Sequence, residues 1–118
     1  MKKILIIDDA AFTRAIHNQI LENAGYEVVE AENGQQGIDK YEEEKPDAII
    51  VDLLMPDMDG IDVIHAIKVK NPDLIAVVCS TDKQKFRQKE AFDAGARVFL
   101  PKPLDPDRLL EILNAELG

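Results

Sequence analysis

At 118 residues, 46% hydrophobic and 31% charged, the chain has a globular composition, with room for one core and none for a second module; any output is expected through its own surface. The formal net charge of −9 speaks against binding nucleic acid, which needs Lys and Arg to displace counterions, and favours a cation or a basic partner surface. No apolar run nears the roughly eighteen residues of a membrane span, and Ile4 to Ile7 stops at Asp8-Asp9, short of an export segment of about seven apolar residues, so a cytoplasmic protein with no membrane contact is expected; a monomer is the expected state.

Lys3 to Asp8 reads as a buried first strand ending in two acids. Ala11 to Ala24 reads as a helix with Phe12, Ile16 and Ile20 at four-residue spacing, closed by Gly25. Tyr26 to Ala31 alternates, the mark of a half-exposed edge strand. Asn33 caps a second helix running to about Glu44, with Ile38 and Tyr41 towards the sheet, Gly34 and Gly37 weakening it and Pro46 ending it. Ala48 to Val51 is a β-branched apolar run that delivers Asp52 to the end of a strand buried on both faces. Pro56 cannot continue a ladder and Asp59-Gly60 is turn and helix-start chemistry, so a loop caps that strand. Ile61 to Lys70 carries Ile61, Ile64 and Ile67 as a helical stripe, and Asn71-Pro72-Asp73 turns the chain into an apolar, central fourth strand, Leu74 to Cys79. The one cysteine, Cys79, permits no internal disulfide and reads as a small core residue. Asp82 to Ala94 is a helix with thin apolar cover, chiefly Phe86, Ala91 and Phe92, expected to be the least stable. Arg97 to Leu100 is the fifth strand, and Asp105-Pro106-Asp107 opens a last helix to about Glu116.

Five β-α units with right-handed crossovers make a parallel sheet covered by helices on both faces. The continuously apolar first, third and fourth strands belong inside, which order 2-1-3-4-5 achieves: a flavodoxin-like, doubly wound α/β fold. In such a sheet every strand ends at one edge, so Asp8, Asp9, Asp52, Ser80 and Lys102 converge. Three carboxylates together repel, and a hard divalent cation such as Mg²⁺ relieves that while keeping room for a phosphoryl oxygen. Lys102 adds a point charge and Ser80 a hydroxyl, which together describe a phosphoryl site with a carboxylate nucleophile. Taken singly, each has a plainer reading: Asp8-Asp9 as a helix N-terminus, Ser80 as a cap for the next helix, Lys102 as a solvated surface lysine.

The set Asp8-Asp9, Asp52-x-x-Met-Pro-x-Met-Asp-Gly, Ser80 and Lys102-Pro103 resembles the signature of response-regulator receiver domains, over essentially the whole chain and in the stand-alone, CheY-like form. The resemblance implies that Asp52 is the phosphoacceptor, that Asp9 and Asp52 ligate Mg²⁺ directly with the Leu54 carbonyl, and that Asp8 acts largely through water. It implies that Lys102 contacts the phosphoryl group, that Ser80 moves towards it as the switch, and that the peptide before Pro103 is cis. The donor would be a histidine kinase or phosphotransfer protein. The family's switch aromatic falls on Phe99, often tyrosine in chemotaxis regulators; Leu54 is apolar where many relatives are polar, and with Asp82 it borders the route of an attacking water.

The output surface is expected on the fourth helix, fifth strand and fifth helix, where Lys83, Lys85, Arg87 and Lys89 stand against an acidic background and Phe99 could rotate inward; the alternative for the basic run is a solvated helix face. His17 and His65 lack ligand-spaced neighbours and read as surface residues. A DxD aspartate phosphatase would need an acid where Leu54 stands, and a nucleotide binder would need a Gly- or Ser/Thr-rich cradle where Asp8-Asp9-Ala10-Ala11 stands. A phosphorelay intermediate remains an alternative role, as does a receiver that binds partners unphosphorylated.

Overall fold

The computed structural model describes residues 1–82 and 84–118. The chain alternates β1 (Lys3–Ile7), α1 (Ala11–Asn23), β2 (Glu27–Ala31), α2 (Gly34–Glu44), β3 (Ala48–Val51), α3 (Gly60–Lys70), β4 (Ile75–Ser80), α4 (Lys85–Ala94), β5 (Val98–Pro101) and α5 (Pro106–Leu117). All strands are parallel, in the order β2-β1-β3-β4-β5, as the hydrophobic patterning implies.

Alternation along the buried strands builds two separate cores. Leu5, Ile7, Ile49, Val51, Ala76 and Val78 face α2, α3 and α4; Ile4, Ile6, Ala48, Ile50, Val77 and Cys79 face α1 and α5. The Cys79 thiol is buried in the second core, and burial pushes its pKa up to about 12, as befits an inert core residue.

Caps follow the residue chemistry. Asn33 accepts the Gln36 N–H at the start of α2, and Asp105 accepts those of Asp107 and Arg108 at the start of α5. Helix α2 ends on Lys45 in the left-handed region (φ 47°), one residue before Pro46. Gly37, costly for helix propensity, is explained by packing: a Cβ there would lie 2.6 Å from Ile7 Cδ1, so the glycine lets α2 sit down on β1.

Two expectations fail. In α1 the residues turned to the core are His17 and Leu21, while Phe12 is 79% and Ile16 44% exposed. His17 is therefore a buried residue, not a surface one; His65 is exposed as expected. Helix α4 begins at Lys85 rather than Asp82, behind an uncapped Gln84. As anticipated, its apolar hold is thin, with Ala91 its one buried residue.

Candidate functional site

β1 and β3 are paired in register, so the residues that follow them emerge side by side. The Asp8 N–H is held by the Ala31 carbonyl and the Asp52 N–H by the Ile7 carbonyl, which fixes both side chains at the carboxyl edge. Both are buried, at 3% and 7% exposure, whereas Asp9 is exposed. Lys102 arrives from the loop after β5, its N–H bonded to the Ser80 carbonyl, and its Nζ lies 2.8 Å from Asp8 Oδ2 and 3.2 Å from Asp52 Oδ2. The Lys102–Pro103 peptide is cis.

One carboxylate oxygen from each of Asp8, Asp9 and Asp52 falls within 4.8 Å of the others. Three carboxylates against one ammonium leave two formal negative charges, the deficit one divalent cation cancels, and an all-oxygen donor set suits Mg²⁺. Burial pushes the Asp52 pKa up; Lys102 pulls it back, and Asp8 adds to the rise. For Lys102, burial works against the charge, but the hydrogen bond to Asp8 and the two carboxylates outweigh it, and its pKa lies above the usual lysine value.

The Asp52 loop is shaped by its neighbours. Leu54 N–H points back to Asp52 Oδ1 at 3.3 Å, while the Leu54 side chain is exposed. Asp57 accepts the Gly34 and Gln35 N–H groups at the start of α2, both at 3.0 Å, and these bonds hold its pKa down. Asp59 caps α3 through the Ile61 N–H. A Cβ on Gly60 would strike the Asp52 carbonyl oxygen, so only glycine lets α3 start this close to the strand end.

Ser80, the last residue of β4, is fully buried. Its Oγ accepts the Asp82 N–H at 3.1 Å, a turn within the loop in place of the helix cap that the serine alone would suggest. Phe99 is half-buried against the α2-α3-α4 core, opposite Val78 in the ladder. Of the basic run, Lys85 and Lys89 are exposed; Lys83 lies outside the described residues. Arg87, expected beside them, is instead turned inward onto Asp59, Asp82 and Glu90. Helical geometry is the missed signal: two residues apart means about 200° apart, so Lys85 and Lys89 share a face that Arg87 cannot.

On the other side of Lys102 lies a groove of about 340 Å³ lined by Phe12, Ile16, His17, Thr81, Pro103 and Leu104. His17 Nδ1 is buried without a hydrogen-bond partner among the described residues, and burial lowers its pKa, which keeps the imidazole neutral at physiological pH.

The sequence pattern of the response regulator receiver domain matches residues 4–114. The chain is 46% identical to the chemotaxis protein CheY of Thermotoga maritima, over 96% of this chain and 95% of that one. It is 44% identical to the chemotaxis protein CheY of Bacillus subtilis, over 98% of each. Among solved structures, a CheY-like receiver domain protein from Methanospirillum hungatei superposes with a TM-score of 0.95 at 30% identity, covering 99% of this chain and 94% of the other.

Proposed function

The chain belongs to the response regulator receiver domain family, and from that premise we propose that it is a phosphorelay signalling switch whose phosphoacceptor is Asp52. The observation that carries this is the pair of contacts from Lys102 Nζ, to Asp8 Oδ2 at 2.8 Å and Asp52 Oδ2 at 3.2 Å, beside the three-carboxylate group. An Asp52 oxygen attacks phosphorus, the bond from phosphorus to the donor's imidazole nitrogen breaks, and the departing imidazole keeps the electron pair and takes up a proton. The product is an acyl phosphate on Asp52.

Asp8, Asp9 and Asp52 would hold Mg²⁺, with the Leu54 carbonyl as a further ligand and Asp8 acting largely through water. When bound, the ion supplies charge neutralisation for the phosphoryl oxygens. Lys102 offers its ammonium to a phosphoryl oxygen, exchanging a carboxylate partner for the new anion. Ser80 Oγ, which already accepts from Asp82, still has a proton to donate, and turning it to the phosphoryl group is the differential contact that a switch needs. Vacated space beside β4 would admit Phe99, changing the α4-β5-α5 face on which Lys85 and Lys89 stand. Upstream the partner is a histidine kinase or phosphotransfer protein; downstream it is a protein target, and the similarity to chemotaxis proteins points to that pathway. Its reaction is limited to gaining and losing its own phosphoryl group. Among the described residues no helix is long and apolar enough to cross a membrane, which accords with a cytoplasmic role.

Incubation with acetyl phosphate or phosphoramidate and Mg²⁺, followed by intact mass, tests the assignment. A single phosphoryl adduct is expected, lost on chelation and absent from Asp52→Asn. An unchanged mass, or an adduct that survives the substitution, overturns it.

A further inference from the structure

We propose that Arg87 is a latch that holds α4 in its resting position and relays movement of Ser80 to that helix, the second part resting on the phosphoacceptor reading above. The Arg87 side chain is only 14% exposed, and its guanidinium meets carboxylates from three parts of the fold. Nη2 donates to Asp59 Oδ2 at 2.6 Å, Nη1 donates to Glu90 Oε1 at 3.4 Å, and Nε lies 3.5 Å from Asp82 Oδ2. Asp59 caps α3 at the end of the Asp52 loop, and Glu90 is one turn along α4 itself. Asp82 belongs to the loop after β4, where its Oδ1 accepts the Gln84 N–H and its own N–H donates to Ser80 Oγ.

A continuous polar chain thus runs from Ser80 through Asp82 and Arg87 to Asp59, joining β4, α4 and the Asp52 loop. Little else holds the helix: Ala91 is its one buried residue, and Phe86 and Phe92 are 60% and 46% exposed. The guanidinium keeps its charge at any physiological pH, so the latch opens by moving a carboxylate and not by losing a proton. When Ser80 Oγ turns away, the Asp82 N–H loses its acceptor, the loop that presents the Asp82 carboxylate rearranges, and Arg87 loses one of its three partners.

Hydrogen exchange on the full chain provides the test. In the unmodified protein Arg87→Met should accelerate the α4 amides at least about tenfold while β1 and β3 stay protected, since a partly buried charged hydrogen bond is lost. Unchanged α4 exchange overturns the latch. Should Arg87→Met lose protection throughout the sheet, Asp82→Asn, which removes a charge at constant shape, is read instead: acceleration confined to Asp82–Ala94 supports the latch, and none overturns it. With Mg²⁺ and beryllofluoride, wild type should show faster α4 exchange and Arg87→Met little further change; an equal response in both overturns the relay. A wild type that does not respond to beryllofluoride refutes the phosphoacceptor reading, whereas the first arm judges the latch without it.

Discussion

Helices α3 and α4 lie on the same face of the sheet and are nearly equal in length, yet they are attached by different forces. α3 buries Val63, Ile64 and Ile67 and starts on a glycine pressed against the Asp52 carbonyl; α4 buries Ala91 and relies on the Arg87 ion pairs. Burying a large aliphatic side chain is worth about 1.5–3 kcal/mol and is indifferent to direction, whereas ion pairs depend on geometry and weaken with salt. One helix is part of the core, and the other is a fitting on it that polar contacts can release.

The contrast can be broken by mutation. Ile64→Ala should cost about 2–5 kcal/mol in urea unfolding and destabilise the whole domain cooperatively. Ala91→Gly should cost about 1 kcal/mol, close to the propensity penalty alone, because α4 contributes so little to the core. A loss at Ala91 as large as that at Ile64 would erase the distinction.

The strand end on which α3 rests carries its own electrostatic cost. The folded-state pKa of Asp52 is raised above its ordinary 3.8, so the fold holds this proton more tightly than the unfolded chain does. Stability is therefore lost as pH climbs from 3.8 through the folded-state pKa, and Asp52→Asn should be the more stable protein at pH 7 in the presence of a chelator. The two should converge below pH 3.8; urea midpoints across a pH series check the sign.

Salt sharpens the contrast between the helices. Raising NaCl to 1 M should accelerate α4 amide exchange by about two- to fivefold while leaving α3 unchanged, since screening at that strength acts over about 3 Å. The smallest effect is expected for Phe86→Ala, an exposed residue on α4, within about 0.5 kcal/mol of wild type by urea unfolding.

Strand order, the acid group and the lysine beside it were readable because apolar runs and turn residues leave no other place for Asp8, Asp52 and Lys102. The α1 face was not. Phe12, Ile16 and Ile20 make a cleaner apolar stripe than Thr13, His17 and Leu21, one residue further round, but the helix turns its second stripe to the core and lends Phe12 and Ile16 to the groove beside Pro103. Periodicity reports which faces are apolar and cannot choose between two when one serves an opening. Arg87 escapes the sequence for a different reason: basic residues at every second position look like one surface in the chain, although helical rotation sets Arg87 apart from Lys85 and Lys89.

On the switch proposed above, Gly60 also bears on which way a signal can leave the pocket. With the backbone of α3 in contact with the Asp52 carbonyl, and the Gly60 N–H donating to the Leu53 carbonyl, strand end and helix start form one closely packed joint. A joint packed this closely leaves little room for α3 to take a second position relative to the Asp52 strand end. On the phosphoacceptor reading proposed above, motion produced at Asp52 is denied that exit and leaves instead by β4, paired directly beside β3, the loop behind it and helix α4 beyond.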